Sequence, residues 1–271
     1  MSKENRPAAS PKNGALGLTR SRADAEDYAK ALESDYGFEA ECVRARFSYL
    51  LRHLLRIKPK RILEVGCGVD LFIDTVAMAD ICFERWVVIE PAAIFAGKAR
   101  ARAAADPRLH VVEGYFEDPA VDKAVHDLGP FDVVLLSGLL QEIDDPAQLL
   151  RASLAVVAPG AHVLVTTPNA LSFHRLLAVE MGLMPTPHTF SPRNIRFRQH
   201  IVFDPESLRR LLEEGGLRNL EFEGYMFKLF THGQMARVLA LLPPGVSEGL
   251  DRLGQKFPEH GAEIAYVGVK G

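Results

Sequence analysis

Five short apolar runs follow one another along the middle of the chain, with segments of helical period between them. The runs are rich in β-branched residues and hydrophobic almost throughout, which is typical of strands buried on both faces. Parallel strands need long connections, and the intervening segments are long enough to be crossover helices. The predicted strands span residues 61–65, 86–89, 109–112, 131–136 and 161–166. The pattern therefore predicts an α/β fold with a mostly parallel sheet.

The remaining segments complete the predicted organisation. A loose polar tail over 1–20 precedes an N-terminal helical cap over 21–58, and a single α/β domain over 59–271 follows. An irregular stretch over 169–203 leaves the sheet after the fifth strand and is predicted to form a lid. Further helices are expected near 71–81, 92–105, 118–128, 146–158 and 206–215, the fourth ended by Pro159-Gly160. Strands over 217–225 and 263–270 bring the sheet to seven.

Composition excludes several classes of function. The 32 basic and 35 acidic residues nearly balance, so no general attraction to nucleic acid or to an anionic membrane is expected. No export signal and no apolar stretch of membrane-spanning length is present, which favours a cytoplasmic protein. Cys42, Cys67 and Cys82 have spacings that suit neither a disulfide framework nor a zinc site. The histidines and acids are not spaced as a compact ligand set either, so we expect no metal.

A glycine pair follows the first predicted strand. In Gly66-Cys67-Gly68 the missing side chains let the backbone approach a ligand closely. Glu90 ends the next strand, where a carboxylate can accept hydrogen bonds from both hydroxyls of a ribose. A dinucleotide would need a third glycine in place of Leu71, and Glu64 would repel a pyrophosphate but attract an ammonium or sulfonium. These features favour a positively charged nucleoside without phosphate.

At this turn the chain resembles the class I S-adenosylmethionine-dependent methyltransferases. The run Glu64-Val65-Gly66-Cys67-Gly68-Val69-Asp70 resembles their first motif, an acid followed by Gly-x-Gly-x-Gly, with Asp70 replacing the last glycine. Further matches follow in the family's order, at residues 140–146, 158–161 and 166–170, the last resembling a subgroup that acts on small molecules. The resemblance covers most of residues 61–225. It implies a Rossmann-like three-layer sandwich and the cofactor S-adenosyl-L-methionine.

The resemblance also implies roles for single residues. Glu64 and Gly66 would line the methionine moiety of the cofactor, and Glu90 would hold its ribose. Phe116 and Glu117 would flank the adenine, and Ser137 would face the sulfonium. The full set of expected cofactor-binding residues is Glu64, Gly66, Cys67, Gly68, Glu90, Pro91, Phe116, Glu117 and Ser137.

The methyl acceptor should bind beneath the lid, beyond the carboxyl ends of the strands. Candidates for the base that takes its proton are His174, His188, His200 and Glu142, although each has an alternative as a packed or exposed residue. Asn169 begins the lid, and Arg193, Arg196 and Arg198 follow in a stretch without acids, which favours a carboxylate or phosphate on the acceptor. The alternative is that these arginines pair with acids elsewhere in the protein.

The sequence thus predicts a metal-independent methyltransferase that methylates a small, anionic metabolite at oxygen by in-line displacement. Nitrogen, sulfur and carbon acceptors stay open, as do an NAD(P)-dependent oxidoreductase and a non-catalytic nucleoside-binding protein. A nucleic-acid acceptor is disfavoured, because the fourth strand continues Ser137-Gly138-Leu139-Leu140 and lacks the Asn-Pro-Pro-aromatic signature of base methylation. The N-terminal helices could cover either the active site or a partner subunit, so a homodimer also stays open.

Overall fold

A computed structural model describes residues 22–79 and 81–271, and the predicted tail over 1–20 lies outside these residues. One seven-stranded sheet runs through it in the order β3-β2-β1-β4-β5-β7-β6. Strands β1 to β5 pair in parallel, and β7 runs antiparallel to both of its neighbours. The strands are β1 (Arg61–Val65), β2 (Arg85–Glu90), β3 (Leu109–Glu113), β4 (Phe131–Ser137), β5 (Val157–Pro168), β6 (Leu217–Tyr225) and β7 (Glu263–Lys270). The predicted mostly parallel sheet is confirmed.

Helices cover both faces of the sheet and make a three-layer sandwich. One buried core joins the sheet to α1, α2, α3, α4 and α10, and the other joins it to α5, α6 and α9. The helices are α1 (Arg22–Ser34), α2 (Glu39–Ile57), α3 (Phe72–Met78), α4 (Ala93–Ala103), α5 (Pro119–Leu128), α6 (Pro146–Ala155), α7 (Phe173–Glu180), α8 (Pro192–Arg196), α9 (Pro205–Glu214), α10 (His232–Leu239) and α11 (Val246–Lys256). Short 3-10 helices add Leu140–Glu142 and Pro258–His260.

Three Asp-Pro pairs begin the helices of the second core. Asp118, Asp145 and Asp204 are the N-caps of α5, α6 and α9, and each carboxylate accepts a hydrogen bond from a backbone N–H of the first turn. The proline that follows has no N–H to leave unsatisfied at the first helical position. An Asp-Pro dipeptide therefore begins each of the three helices that pack in the second core, α5, α6 and α9.

The fourth predicted crossover helix, α6, is shorter than the sequence pattern predicts. The prediction extended it to residue 158, but α6 ends at Ala155 and β5 begins at Val157, which pairs with Phe131. The β-branched pair before Pro159 favours the extended conformation. Pro159 and Gly160 lie within β5 where its register against β4 shifts, and such an irregularity tolerates a proline inside a strand. Tertiary strand pairing, rather than the Pro-Gly dipeptide, ends the helix.

Helix α2 packs along the first core, and its end is set locally. Tyr49, Leu50 and Leu54 recur at helical spacing and are fully buried. Lys58 takes a left-handed conformation (φ 53°), and its N–H donates to the Leu54 carbonyl at 2.8 Å. Because Pro59 then prevents further helix, the chain turns directly into β1.

Among the described residues, no helix combines the length and the apolar composition that a membrane span requires.

We expect Leu54→Ala to lower the free energy of unfolding by about 2–5 kcal/mol, because it leaves a cavity at a fully buried site. Leu55→Ala, one residue along the same helix at a side chain that is 46% exposed, should change it by less than about 0.5 kcal/mol. Urea denaturation followed by circular dichroism measures both. Equal losses in the two variants would contradict the packing of α2 described above.

Candidate active site

A cavity of about 1130 Å³ lies at the carboxyl edge of the parallel strands. The turn after β1 and the ends of β2, β4 and β5 form one wall, and α1, α2, the lid and the loop after β6 form the others. Single-ligand pockets are commonly about 300–1,000 Å³. The cavity is therefore at least as large as the upper end of this range.

The glycine turn occupies the cavity wall in the conformation that its sequence requires. Gly66 and Gly68 have positive φ angles of 78° and 65°, a region that residues with a Cβ seldom adopt. The Gly66 N–H donates to the Ile89 carbonyl at 2.8 Å, which ties the turn to β2. A Cβ on Gly68 would meet no atom within 4 Å, so open space lies above it. A ligand can therefore approach the backbone here.

Glu90 ends β2 beneath this turn and braces it. One carboxylate oxygen accepts from the Cys67 N–H at 3.0 Å, and the other accepts from the Ala92 N–H at 2.9 Å. The side chain is buried but borders the cavity. Burial raises the pKa of Glu90, although the backbone hydrogen bonds oppose this. Glu90 thus holds the shape of the turn and also places a carboxyl group at the cavity.

Glu64 adds a second buried acid to the same wall. Its carboxylate accepts a hydrogen bond from the indole N–H of Trp86 at 2.8 Å. Burial raises its pKa to about 8; the bond from Trp86 lowers the pKa and the charge of Glu90 raises it further. Two buried acids that resist ionisation in the absence of a cation make this wall a site for a positively charged group.

The other expected cofactor residues divide into two groups. Cys67, Pro91 and Ser137 line the cavity with the residues above. Phe116 is instead packed in the second core and Glu117 is exposed, and neither lines the cavity. Tyr115, the residue before them, does line it. The loop turns sharply at Gly114 (φ 144°), where a Cβ would come within 2.7 Å of Val121, and this turn directs the neighbouring aromatic into the cavity.

The N-terminal helices cover this cavity, which is one of the two placements that the sequence left open. The Tyr28 hydroxyl of α1 donates to Glu142 at 3.0 Å, and the Tyr36 hydroxyl donates to Asp70 at 2.6 Å. Asp70 stands where the family motif has its last glycine. This departure from the motif supplies the acceptor for Tyr36, in the segment that joins the two N-terminal helices. Glu142 likewise holds α1 in place.

The three candidate histidines have different environments. His188 Nε2 forms a hydrogen bond with the Asp204 carboxylate at 2.9 Å and does not line the cavity. His200 lines the cavity, but it is 40% exposed and bonds Asp144 at 2.8 Å. His174, on α7, lines the cavity and has no acidic partner within the described residues.

Hydrogen bonds orient His174. The Ser172 hydroxyl donates to the Asn169 carbonyl at 2.8 Å, and His174 Nδ1 lies 2.9 Å from the same hydroxyl oxygen. Since a carbonyl can only accept, Nδ1 carries the proton and donates to Ser172. Nε2 then carries the lone pair. Burial, followed by the positive charges of Lys228 and Arg175, lowers the pKa of His174 well below its usual value. The ring is therefore neutral at pH 7.

The lid arginines pair with acids of the N-terminal helices, as the alternative interpretation proposed. Arg193 bonds Asp35 and also Glu39, the latter at 3.0 Å. Arg196 donates to the Ser34 hydroxyl, and Arg198 forms an ion pair with Asp24. All three line the cavity, yet their charges are matched. Asn169 is also fully used, since its amide donates to the Glu259 and Gly261 carbonyls.

Sequence reasoning missed a polar cluster in the same cavity. Arg46 of α2 forms a two-point ion pair with Glu263 and bonds Glu39 at 3.4 Å. His232 bonds Glu39 at 3.1 Å and the Lys228 ammonium at 3.1 Å. These residues come from α2, the loop after β6, α10 and β7. The only local signal was the spacing of Glu39 and Arg46, two turns apart on one helix face.

Comparison with known proteins identifies the family. The model of the methyltransferase domain family matches residues 38–221. The ubiquinone biosynthesis O-methyltransferase of Vibrio parahaemolyticus is 28% identical over 129 residues, which are 46% of this chain and 50% of that protein. The protein of the same name from Acinetobacter baylyi is 26% identical over 200 residues, covering 69% and 75%. The chain spans about half the length of the first of these relatives.

Solved structures share the fold. A methyltransferase from Thermotoga maritima, described as S-adenosylmethionine-dependent, has a TM-score of 0.55 and 18% identity, covering 90% of this chain and 100% of that one. The N-terminal domain of EvdMO1, crystallised in the presence of SAH and D-fucose, has a TM-score of 0.51 and 18% identity, covering 83% of each chain. The predicted Rossmann-like sandwich is thereby confirmed. Because the family model spans most of the chain and the fold agrees with it, this chain belongs to the class I S-adenosylmethionine-dependent methyltransferases, whose cofactor is S-adenosyl-L-methionine.

Proposed function

We propose that this chain transfers a methyl group from S-adenosylmethionine to an oxygen of a small, anionic acceptor, with His174 as the base. One observation carries the proposal: the glycine turn with its two buried acids shares a single cavity with a neutral, oriented histidine. The related proteins named O-methyltransferases support oxygen as the acceptor atom. Family membership sets aside the NAD(P)-dependent oxidoreductase.

The cofactor side of the cavity suits a cationic nucleoside. A bound cation would stabilise the ionised forms of Glu64 and Glu90. The turn at Gly66 and Gly68 allows close approach, and Tyr115 offers an aromatic face for a base. When bound, the cofactor would supply a methyl group on a sulfonium. In-line attack by the acceptor oxygen would form the new carbon–oxygen bond as the carbon–sulfur bond breaks, leaving a neutral thioether. The residues of the turn hold this group in place rather than react with it.

His174 would act on the acceptor. Its Nε2 lone pair can accept the proton of the attacking hydroxyl, while Ser172 holds Nδ1 and keeps the ring in the required tautomer. Tyr28, Tyr36 and the lid residues close over the cavity and exclude water from the reacting atoms. A non-catalytic chain would need neither an oriented base nor residues that cover the cavity.

Glu90→Ala should weaken the binding of S-adenosylhomocysteine by at least about tenfold, since charge-assisted bonds to the ribose are lost. Isothermal calorimetry measures the affinity, and a thermal melt shows whether the variant is folded. Glu117→Ala, at an exposed residue outside the cavity, is the matched control and should bind normally. Unchanged affinity in folded Glu90→Ala would refute this placement of the ribose.

Binding of the cofactor product should release a proton at pH 7. Glu64, with its pKa near 8, is mostly protonated in the free protein, and the ammonium of the ligand favours its ionised form. Affinity should therefore rise as the pH rises from 6 towards 8 and then level off. Calorimetry in buffers of different ionisation enthalpy measures the released proton. Glu64→Gln should abolish the release, and a wild-type protein that releases none would contradict this role.

The reaction itself is tested with isotopically labelled S-adenosylmethionine and a panel of small phenols, amines and thiols, each with and without a carboxylate. We expect a methyl ether as the product. His174→Gln should lower kcat by about 10²-fold or more, because it removes a general base. In the wild type, kcat should fall only at a pH below about 6.5, the usual imidazole pKa, since the pKa of His174 is lowered.

His200→Gln is the matched control for this experiment. His200 lines the same cavity but is half-exposed and bonded to Asp144, so kcat should stay near the wild-type value. Methylation at nitrogen, sulfur or carbon would replace oxygen in the proposal. Tight cofactor binding without any methylated product would favour the non-catalytic alternative.

A further inference from the structure

A buried lysine outside the lid lines the cavity next to two histidines. Lys228 lies in the loop after β6, where Met226 has a positive φ of 55° and the Phe227 N–H donates to the Leu250 carbonyl at 2.8 Å. Only 4% of Lys228 is exposed, yet it borders the cavity. The backbone around it is thus held in place, and its ammonium faces the interior.

The hydrogen bonds of His232 leave Lys228 with unused donors. Burial and the charge of Lys228 lower the pKa of His232 to about 4, so its ring is neutral, and Nε2 donates to Glu39. Nδ1 must then accept from the Lys228 ammonium at 3.1 Å. An ammonium has three N–H donors. Besides His232, Lys228 Nζ faces the Phe38 ring, 6.0 Å from its centroid, and it has no other polar partner within the described residues.

The neighbouring charges are matched without Lys228. Arg46 pairs with Glu263, Arg193 pairs with Glu39, and Asp35 accepts both Arg193 and Arg196. No carboxylate within residues 22–79 and 81–271 forms an ion pair with Lys228 at 4 Å or less. Burying a cation without a carboxylate partner is costly, and an anionic ligand would offset that cost. Burial lowers its pKa to about 8, which leaves it charged at pH 7.

We propose that Lys228, supported by His232, is the subsite that binds a carboxylate of the methyl acceptor. This inference rests on the proposed function. An ammonium is a compact point charge whose free N–H groups can donate charge-assisted hydrogen bonds to a carboxylate. A phosphate dianion suits the site less well, because Glu39 and Glu263 are close enough to affect the charge of Lys228 and would repel it. His174 lines the same cavity, so an acceptor held by Lys228 would share that cavity with the base.

The test compares 3,4-dihydroxybenzoate with its methyl ester, which has the same hydroxyls but no carboxylate. Calorimetry on the complex with S-adenosylhomocysteine should show that the wild type binds the acid more tightly than the ester. Lys228→Met should weaken binding of the acid by at least about tenfold and leave the ester unchanged. Its melting temperature should stay the same or rise, because an unpaired buried cation has been removed.

Lys98→Met is the matched control, since Lys98 is a half-exposed lysine on α4 that pairs with Glu33 away from the cavity. Equal binding of acid and ester by the wild type would overturn the inference, and so would an intact preference for the acid in Lys228→Met. Loss of both ligands together with a lower melting temperature would show a structural lysine and overturn it as well. Preferential binding of the acid without methylation would leave the inference standing and refute the proposed function.

Discussion

A buried charge is costly without a partner, and ion pairs between buried charges hold together the segments that cover the cavity, namely the N-terminal helices and the lid. Arg46 joins α2 to the start of β7 through Glu263, and Glu39 joins the same helix to the lid and to α10. Burial disfavours the carboxylate of Glu39, but the bond from His232 and the charges of Arg46 and Arg193 keep its pKa below the usual value. The N-terminal helices, the lid and the last strand therefore depend on one set of ion pairs.

The same cost separates the cavity into two ends of opposite charge preference. Glu64 and Glu90 are buried acids near the glycine turn, where a cationic cofactor fits. Lys228 is a buried cation among matched ion pairs, and it is the proposed site for the carboxylate of the acceptor. In the same cavity, His174 stays neutral because burial and nearby positive charge both oppose its protonation. A neutral histidine can accept a proton, which a charged one could not.

The lid arginines illustrate why counting charges along the sequence cannot show which charges are matched in the folded protein. Arg193, Arg196 and Arg198 stand in a stretch without acids, which favoured an anion as their ligand. Their partners are Asp24, Ser34, Asp35 and Glu39, more than a hundred residues earlier in the chain. They join the lid to the N-terminal helices instead, whereas the buried Lys228 has no carboxylate within 4 Å among the described residues.

Local physics let the sequence by itself determine the parallel sheet, the glycine turn and the acid that ends β2. Each depends on short-range properties, namely hydrophobic periodicity, a left-handed backbone and the position of a residue at a strand end. Only the tertiary structure decided where α6 ends, that Tyr115 rather than Phe116 borders the cavity, and which charges remain unmatched. The reason is that strand pairing and the pairing of buried charges join residues far apart in the chain, and no local pattern records those contacts.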